Sequence, residues 1–284
     1  DRSEIVGYGS SGALGPNDVT FESSTAYGAN SPMAVKLGNF ILFVQKGGMK
    51  VRDIIFNFDQ SQYKSSDLNF VAEHLCFDQE YDSTDTTGGV GGQFRDPIVE
   101  IVGAVNENSL VYAKTQNGRL LALNIDRDYN ITAWAQIVFG GEGFQRTYPL
   151  VKSVCAIEGS SGEGDRVFVI VARYINGAHK VMLEELNLQN EQEEITSTYP
   201  PVYVDSWVSG ATADPDRKIW TGFSDYVGEE LQVLADNQYI GEFTVNGSGQ
   251  IVLPADIDNP LVGSPTYLAA GYKYESTLKT MPIE

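Results

Sequence analysis

The residues able to do chemistry in this chain are few and poorly spaced for it. There are two histidines. His74 lies in a segment with helical spacing and His179 at a hairpin turn, Asn176-Gly177-Ala178-His179. Neither has a partner at HxH or HxxxH spacing, so both read as structural rather than as metal ligands. Cys76 and Cys155 lie far apart with no CxxC spacing, each inside an apolar run (His74-Leu75-Cys76-Phe77 and Val154-Cys155-Ala156-Ile157). That setting predicts two buried free thiols, which fits synthesis in a reducing cytosol.

The acidic and glycine-rich motifs fail in the same way. Asp126-Arg127-Asp128-Tyr129-Asn130 starts like a calcium loop. An EF-hand needs Gly where Ile131 stands and Glu where Ile137 stands, so a turn is the better reading. Asp78-Gln79-Glu80-Tyr81-Asp82 offers a looser cation site, set against a plain solvated loop. Gly88-Gly89-Val90-Gly91-Gly92 lacks the Gly-Lys-Ser/Thr of a phosphate cradle, and no G-x-S-x-G elbow occurs. Glu184-Glu185 and Glu229-Glu230 put neighbouring carboxylates on opposite faces of a strand, the wrong geometry for paired acid–base work. Trp134, Trp207 and Trp220 could stack on sugars or on subunit neighbours, with core packing as the default. The sequence therefore predicts no catalytic residue, no cofactor and no metal site.

Composition narrows the class. At 284 residues the chain is long enough for one large or two ordinary domains, with 42% apolar residues for a core. No run of ~18 apolar residues is present, so no membrane-inserting segment is expected. The start, Asp1-Arg2-Ser3, reads as that of a cut or incomplete chain. The formal charge of -19 argues against gripping nucleic acid, which takes clustered Lys and Arg. Acidity does suit a conduit through which DNA slides without sticking; it also simply aids solubility.

The elements that would position any site are β-strands. Leu37–Asp59 reads as a hairpin: an apolar run from Asn39 to Val44, a Gln45-Lys46-Gly47-Gly48 turn, and a second run from Lys50 to Phe58. Residues 1–32 read as loop with one strand at Val19–Ser23. Ser65–Cys76 carries a helical signature, with Ser66 or Asp67 able to cap and Leu68, Val71, Ala72 and Leu75 in step. Asp78–Gln93 reads as a long exposed loop.

The strand–turn–strand pattern then repeats. Strands are expected at Ile98–Val105, Ser109–Thr115, Arg119–Ile125 and Ile131–Phe139, with Asn117-Gly118 as a hairpin turn. Three more follow at Val151–Glu158, Arg166–Tyr174 and Lys180–Asn187, with a turn at Asn176-Gly177. Ile41-Leu42-Phe43, Leu110-Val111-Tyr112 and Phe168-Val169-Ile170 take equivalent places as second strands. About three meanders of this kind resemble propeller blades, too few to close a ring alone. After Pro200-Pro201 the strands shorten: Lys218–Gly222, Glu230–Ala235, Tyr239–Val245, Gln250–Pro254 and Thr266–Tyr274. The expected fold is all-β: a propeller-like domain of repeated antiparallel meanders at 1–200, and a small β-barrel or β-sandwich at 201–284.

The string LFVQKGGMKVRDIIFNF, followed by AEHL at Ala72–Leu75, resembles the tail nozzle or hub proteins of short-tailed bacteriophages. Further strings lie in the same order: Ser24-Thr25-Ala26-Tyr27-Gly28, Leu110-Val111-Tyr112 with Asn117-Gly118-Arg119-Leu120, and Val204-Asp205-Ser206. Leu231–Asn237 (LQVLADN) and the ending Thr280-Met281-Pro282-Ile283-Glu284 complete the set, which spans about nine-tenths of the chain. The acidic stretch 78–93 and a weaker basic hairpin turn depart from the family pattern.

The resemblance implies a structural virion protein without catalysis, made in the host cytoplasm. Six copies would form a hexameric ring below the portal and its adaptor, in contact with other tail proteins. The ring would continue the channel for passing double-stranded DNA, hold the genome and open at ejection. Lys46, Lys50 and Arg52 are a DNA- or subunit-facing group on this reading, against an ordinary solvated strand face. The alternative is a carbohydrate-binding or glycan-degrading propeller acting on host surface polysaccharide, motivated by aromatic content and acid-rich loops on an all-β frame.

Overall fold

The structure is a computed structural model, and it describes residues 3–9, 15–78, 94–105, 109–127, 129–160, 164–186, 202–236, 238–254 and 265–278. It is mostly β, built of several small antiparallel sheets. Two compact units divide the chain: residues 1–137 with 151–169, and residues 138–150 with 170–284. The border expected near residue 200 falls on residues outside those described.

Two four-stranded meanders dominate the first unit. A ribbon of β1 (Glu4–Tyr8) and β2 (Thr20–Thr25) comes first. The first meander follows in chain order: β3 (Val35–Leu37), β4 (Phe40–Val44), β5 (Val51–Asn57) and β6 (Gln62–Lys64). The short pair β7 (Phe77–Asp78) and β8 (Phe94–Arg95) leads to the second meander. That one is β9 (Ile98–Val105), β10 (Ser109–Thr115), β11 (Leu120–Asp126) and β12 (Ile131–Ile137), again in sequential order. A third sheet has three strands in the order β13 (Leu150–Ile157), β14 (Arg166–Ile175) and β15 (Ala178–Leu186), of which β15 belongs to the second unit. The three equivalent strings expected from sequence lie on β4, β10 and β14, the second strand of each sheet. The opening hairpin carries two more strands than its sequence suggested, and β1 lies in a stretch read as loop.

Alternation explains the core. Leu42, Val44, Val51, Ile98, Val111, Ala113, Leu121 and Leu123 are buried from both meanders into one cluster. Each buried Val, Leu or Ile contributes roughly 1.5–3 kcal/mol relative to exposure. The meanders approach closely where side chains are missing. A Cβ on Gly103 of β9 would stand 2.6 Å from Val35 Cγ1 on β3. At the turn after β4, Gly48 has φ +76° and its carbonyl accepts the Ile98 amide at 2.8 Å. A Cβ there would meet Pro97 Cβ at 2.5 Å.

The helix expected over Ser65–Cys76 is a 3₁₀ segment limited to Phe70–Cys76, with non-helical backbone at Ala72. Neither Ser66 nor Asp67 caps it; Asn69 precedes it without a side-chain cap. The cause is competition for those groups. Asn69 accepts the Val51 amide at 3.0 Å and donates to Met49 O at 2.9 Å, pinning the segment to the hairpin. Asp67 accepts from Lys50 at 2.5 Å. Cys76 is buried as expected, whereas Cys155 is exposed, a correction to the sequence reading. Its strand β13 presents Lys152, Cys155 and Ile157 to the surface. The acidic loop expected at 78–93 lies outside the described residues except for Asp78, which is buried and accepts from Asn117 at 3.0 Å.

In the second unit, β16 (Asp205–Ser209), β17 (Ala211–Thr212), β18 (Ile219–Thr221), β19 (Glu230–Ala235), β20 (Gln238–Thr244), β21 (Gln250–Val252) and β22 (Leu268–Tyr272) form two sheets. Their orders are β16-β22-β19-β20 and β17-β18-β21. Trp220 and Ile251 from the smaller sheet share a core with Leu231, Val233, Leu268, Ala270 and Tyr272 from the larger. All five strands expected after residue 215 are present.

Two predictions follow from this packing. Gly48→Ala is expected to cost about 3 kcal/mol in urea denaturation, through left-handed backbone strain plus overpacking against Pro97. Gly38→Ala, at φ +55° with open space around its Cβ, is expected to cost about 1 kcal/mol. Equal costs would show that Pro97 yields. In thiol titration, Cys155 is expected to react at once and Cys76 only on unfolding, because burial pushes the Cys76 thiol up to about 11.

Candidate functional site

The basic group singled out from sequence does not form a free patch. Lys50 Nζ lies 2.5 Å from Asp67 and 2.9 Å from Glu73, and those hydrogen bonds raise its pKa. Arg52 donates to Gln45 Oε1 at 2.7 Å and stacks 3.5 Å over the Tyr27 ring. Both cations thus hold the first hairpin to its neighbours. Lys46, at the turn, is exposed.

Turn chemistry accounts for the calcium-like string. The Tyr129 amide donates to Asp126 Oδ1 at 3.1 Å, and Asn130 takes a left-handed φ of 55°. Among the described residues, no group of three or more His, Cys, Asp or Glu could hold a metal ion. His179 sits among rings, 4.6 Å from Phe144 and 5.5 Å from Tyr174.

The first unit does present aromatic surface. On β5, in the following turn and on β6, Phe56 packs edge-on against Phe58 at 5.0 Å and Tyr63 at 5.1 Å. Phe58 is 85% exposed, and Phe21 and Ile5 on the β1–β2 ribbon are exposed too. Rings held against one another at a strand end form a stiff apolar contact, the kind that buries well against another protein.

The second unit contains a buried ionic centre. Arg173 on β14 is almost wholly buried. Its guanidinium pairs with Glu184 of β15, donates to Gly140 O at 3.1 Å and lies 5.5 Å over the Tyr272 ring. Ser206 Oγ donates to Glu184 Oε1 at 2.8 Å and meets Tyr226 Oη at 3.0 Å. Asp205 accepts the Gly140 amide at 2.7 Å. Burial pushes the Asp205 carboxyl up, opposed by that amide and by Arg173. Burial also pushes the Tyr226 and Tyr272 phenols up.

This centre floors an open cleft of about 830 Å³. Residues Lys180 to Glu185 of β15 make one wall, and Ser206, Trp207 and Val208 of β16 line it as well. Ser206 sits at a bulge in β16 with a left-handed φ of 50°. A strained serine in a cleft invites comparison with a nucleophile, but both oxygens of its acceptor Glu184 are already engaged by the Arg173 guanidinium. The arrangement ties β14, β15 and β16 together.

Of the three tryptophans, Trp134 donates to Leu68 O at 2.9 Å and Trp220 is buried, as core packing requires. Trp207 departs from that default, 38% exposed on the cleft wall. Glu184 points inward and Glu185 outward, as strand alternation demands. Arg173 was the residue missed from sequence. Its signal was present: in Val167-x-Val169-x-Val171-x-Arg173-x-Ile175, an arginine takes an inward place on an otherwise apolar face.

Arg173→Met is expected to lower unfolding free energy by about 3–5 kcal/mol, because it leaves Glu184 without its cation. Adding Glu184→Leu is expected to restore part of that loss. Additive losses in the double variant, measured by denaturation, would show that the pair is not coupled.

No protein-family model matches the chain, and no curated protein matches it.

Proposed function

We propose that this chain is a structural subunit of the tail nozzle of a short-tailed bacteriophage, without catalysis. The observation that carries the reading is the pair of sequential four-stranded meanders sharing one core, with a third sheet in the same grammar. Repeated antiparallel meanders are what propeller blades are made of, and two of the nozzle-like strings, LFVQKGGMKVRDIIFNF and Leu110-Val111-Tyr112, overlap the second strands β4 and β10. In this reading the first unit is propeller-like, and the two sheets around Trp220 make a small barrel or sandwich domain.

Function follows from surface chemistry. Six copies form a ring beneath the portal and adaptor in the virion, extending the DNA channel. A net charge of -19 keeps passing DNA from sticking, since phosphates find few cations to displace their counterions. The stiff aromatic group Phe56, Phe58 and Tyr63 supplies a subunit contact.

Sedimentation of the full-length protein with its neighbouring tail proteins tests this. A closed multi-subunit species is expected. Phe58→Ser is expected to weaken it roughly 30-fold, the scale of a ≥2 kcal/mol hot spot, with the melting temperature unchanged. A full-length protein that stays monomeric with those partners would remove the ring.

A further inference from the structure

The dipeptide Asn-Gly occurs three times, at Asn117-Gly118, Asn176-Gly177 and Asn246-Gly247. It is the sequence most open to attack by its own backbone, because glycine puts no side chain in the way of the asparagine carboxamide. The attack needs two freedoms. The carboxamide must swing onto the following nitrogen, and that nitrogen must be uncommitted. At Asn117 the side-chain amide donates to Asp78 at 3.0 Å, and the buried Gly118 amide donates to Thr115 O at 3.1 Å. At Asn246, Oδ1 accepts the Ser248 amide at 2.9 Å and the Gln250 amide at 3.1 Å, while Nδ2 donates to Gln250 Oε1 at 3.4 Å. Ring closure at either place requires those bonds to break first.

Asn176-Gly177 is different. Both residues are exposed, and φ of 47° and 75° make them the two-residue type I′ turn between β14 and β15. Such a turn leaves the Gly177 amide outside the ladder, whose closing pair is Ile175 and Ala178. The Asn176 backbone amide donates to Glu229 Oε1 at 3.1 Å, but its carboxamide has no hydrogen-bond partner among the described residues. A Cβ at Gly177 would meet nothing within 4 Å. The positive φ of Asn176 is also that of a type II′ turn. Flipping the peptide that joins the two residues, from I′ to II′, brings the Gly177 nitrogen to the side of the Asn176 Cβ.

We infer that Asn176 is a site of spontaneous deamidation in the folded chain, and that the fold protects the other two Asn-Gly steps. The Gly177 nitrogen bonds to Asn176 Cγ, the Cγ–Nδ2 bond breaks, and ammonia leaves with the proton shed by the Gly177 amide. Water then opens the five-membered imide at one of its two carbonyls. Opening at Cγ leaves aspartate with the main chain intact; opening at the backbone carbonyl leaves isoaspartate, whose main chain runs through Cβ. Either product adds a carboxylate at the turn that rests on Glu229, which also accepts the Tyr272 hydroxyl at 3.2 Å. Isoaspartate lengthens the turn by one backbone carbon, so it no longer matches the spacing of β14 and β15. The same hairpin carries Arg173 and Glu184, so the change reaches the ionic centre of this unit. None of this rests on the nozzle reading.

Timed incubation of the folded chain in mildly alkaline buffer tests this, with tryptic digestion at mildly acidic pH and mass spectrometry as the readout. Cleavage after Arg173 and Lys180 isolates Asn176 in the peptide Tyr174–Lys180, and cleavage after Lys114 and Arg119 isolates Asn117. The first peptide is expected to gain the mass difference between an amide and a carboxyl, and to split into two chromatographic forms. Conversion at Asn117 and Asn246 is expected to be at least roughly tenfold slower, the scale of opening one or two hydrogen bonds first. In urea the three are expected to react at similar rates, because only the fold separates them. Aged parent protein is expected to melt lower than fresh, whereas Asn176→Gly, a Gly-Gly turn of the same type, is expected to age without loss. Asn176 staying intact in the folded chain while the unfolded chain converts would overturn the inference, as would Asn117 or Asn246 keeping pace with it. Aged and fresh parent melting alike would overturn its effect on the hairpin.

Discussion

A guanidinium taken out of water must have its donors met by acceptors, and each unit of this protein is built around one. In the second unit Arg173 binds Glu184, Gly140 O and the face of Tyr272, three segments far apart in sequence. In the first unit Arg119 donates to Asp96 at 2.9 Å and to Leu75 O at 2.7 Å. Asp96 in turn accepts the Asn117 amide at 2.7 Å. Removing an ion from water costs several kcal/mol, so such centres persist only when the backbone around them is held in place. The cost is offset by well-placed acceptors, and the result is geometric: loops that have no core of their own are fixed by polar bonds.

That requirement bears on how small sheets can carry a structural role. Sheets of two to four strands have many edges relative to their area, and an edge is a place for another chain to pair. Buried arginines tie the interior, which leaves the exterior free to present Phe58, Val181 and Leu183. A chain of this acidity repels its copies at long range, so association has to come from short-range apolar and strand-edge contacts.

Strand positions were legible because alternation is a local signal; the strands of the second meander and those after residue 215 lie where their patterns put them. Turn type was less so. Asn176-Gly177 makes a two-residue turn with both residues left-handed, while at Asn117-Gly118 only Gly118 is left-handed and the Thr115 and Arg119 backbones close a longer loop. The Asn117 amide is taken by Asp96, a contact 21 residues away that no local reading supplies. The Ser65–Cys76 helix failed for the same reason, since Asn69 and Asp67 bond across to the hairpin rather than capping. Trp207 and Cys155 are exposed because neighbouring strands leave them uncovered, which alternation alone cannot say. Arg173 was missed although its signal was local: an arginine at an inward place on an otherwise apolar strand face.

Electron cryo-microscopy of the full-length protein assembled with its neighbouring tail proteins tests the central claim most directly. The account predicts a closed six-fold ring with an axial channel, its subunits contacting one another through surface that includes the Phe56–Phe58–Tyr63 group. Single particles with no ring, or a ring whose centre is filled by protein with no path for DNA, would contradict it.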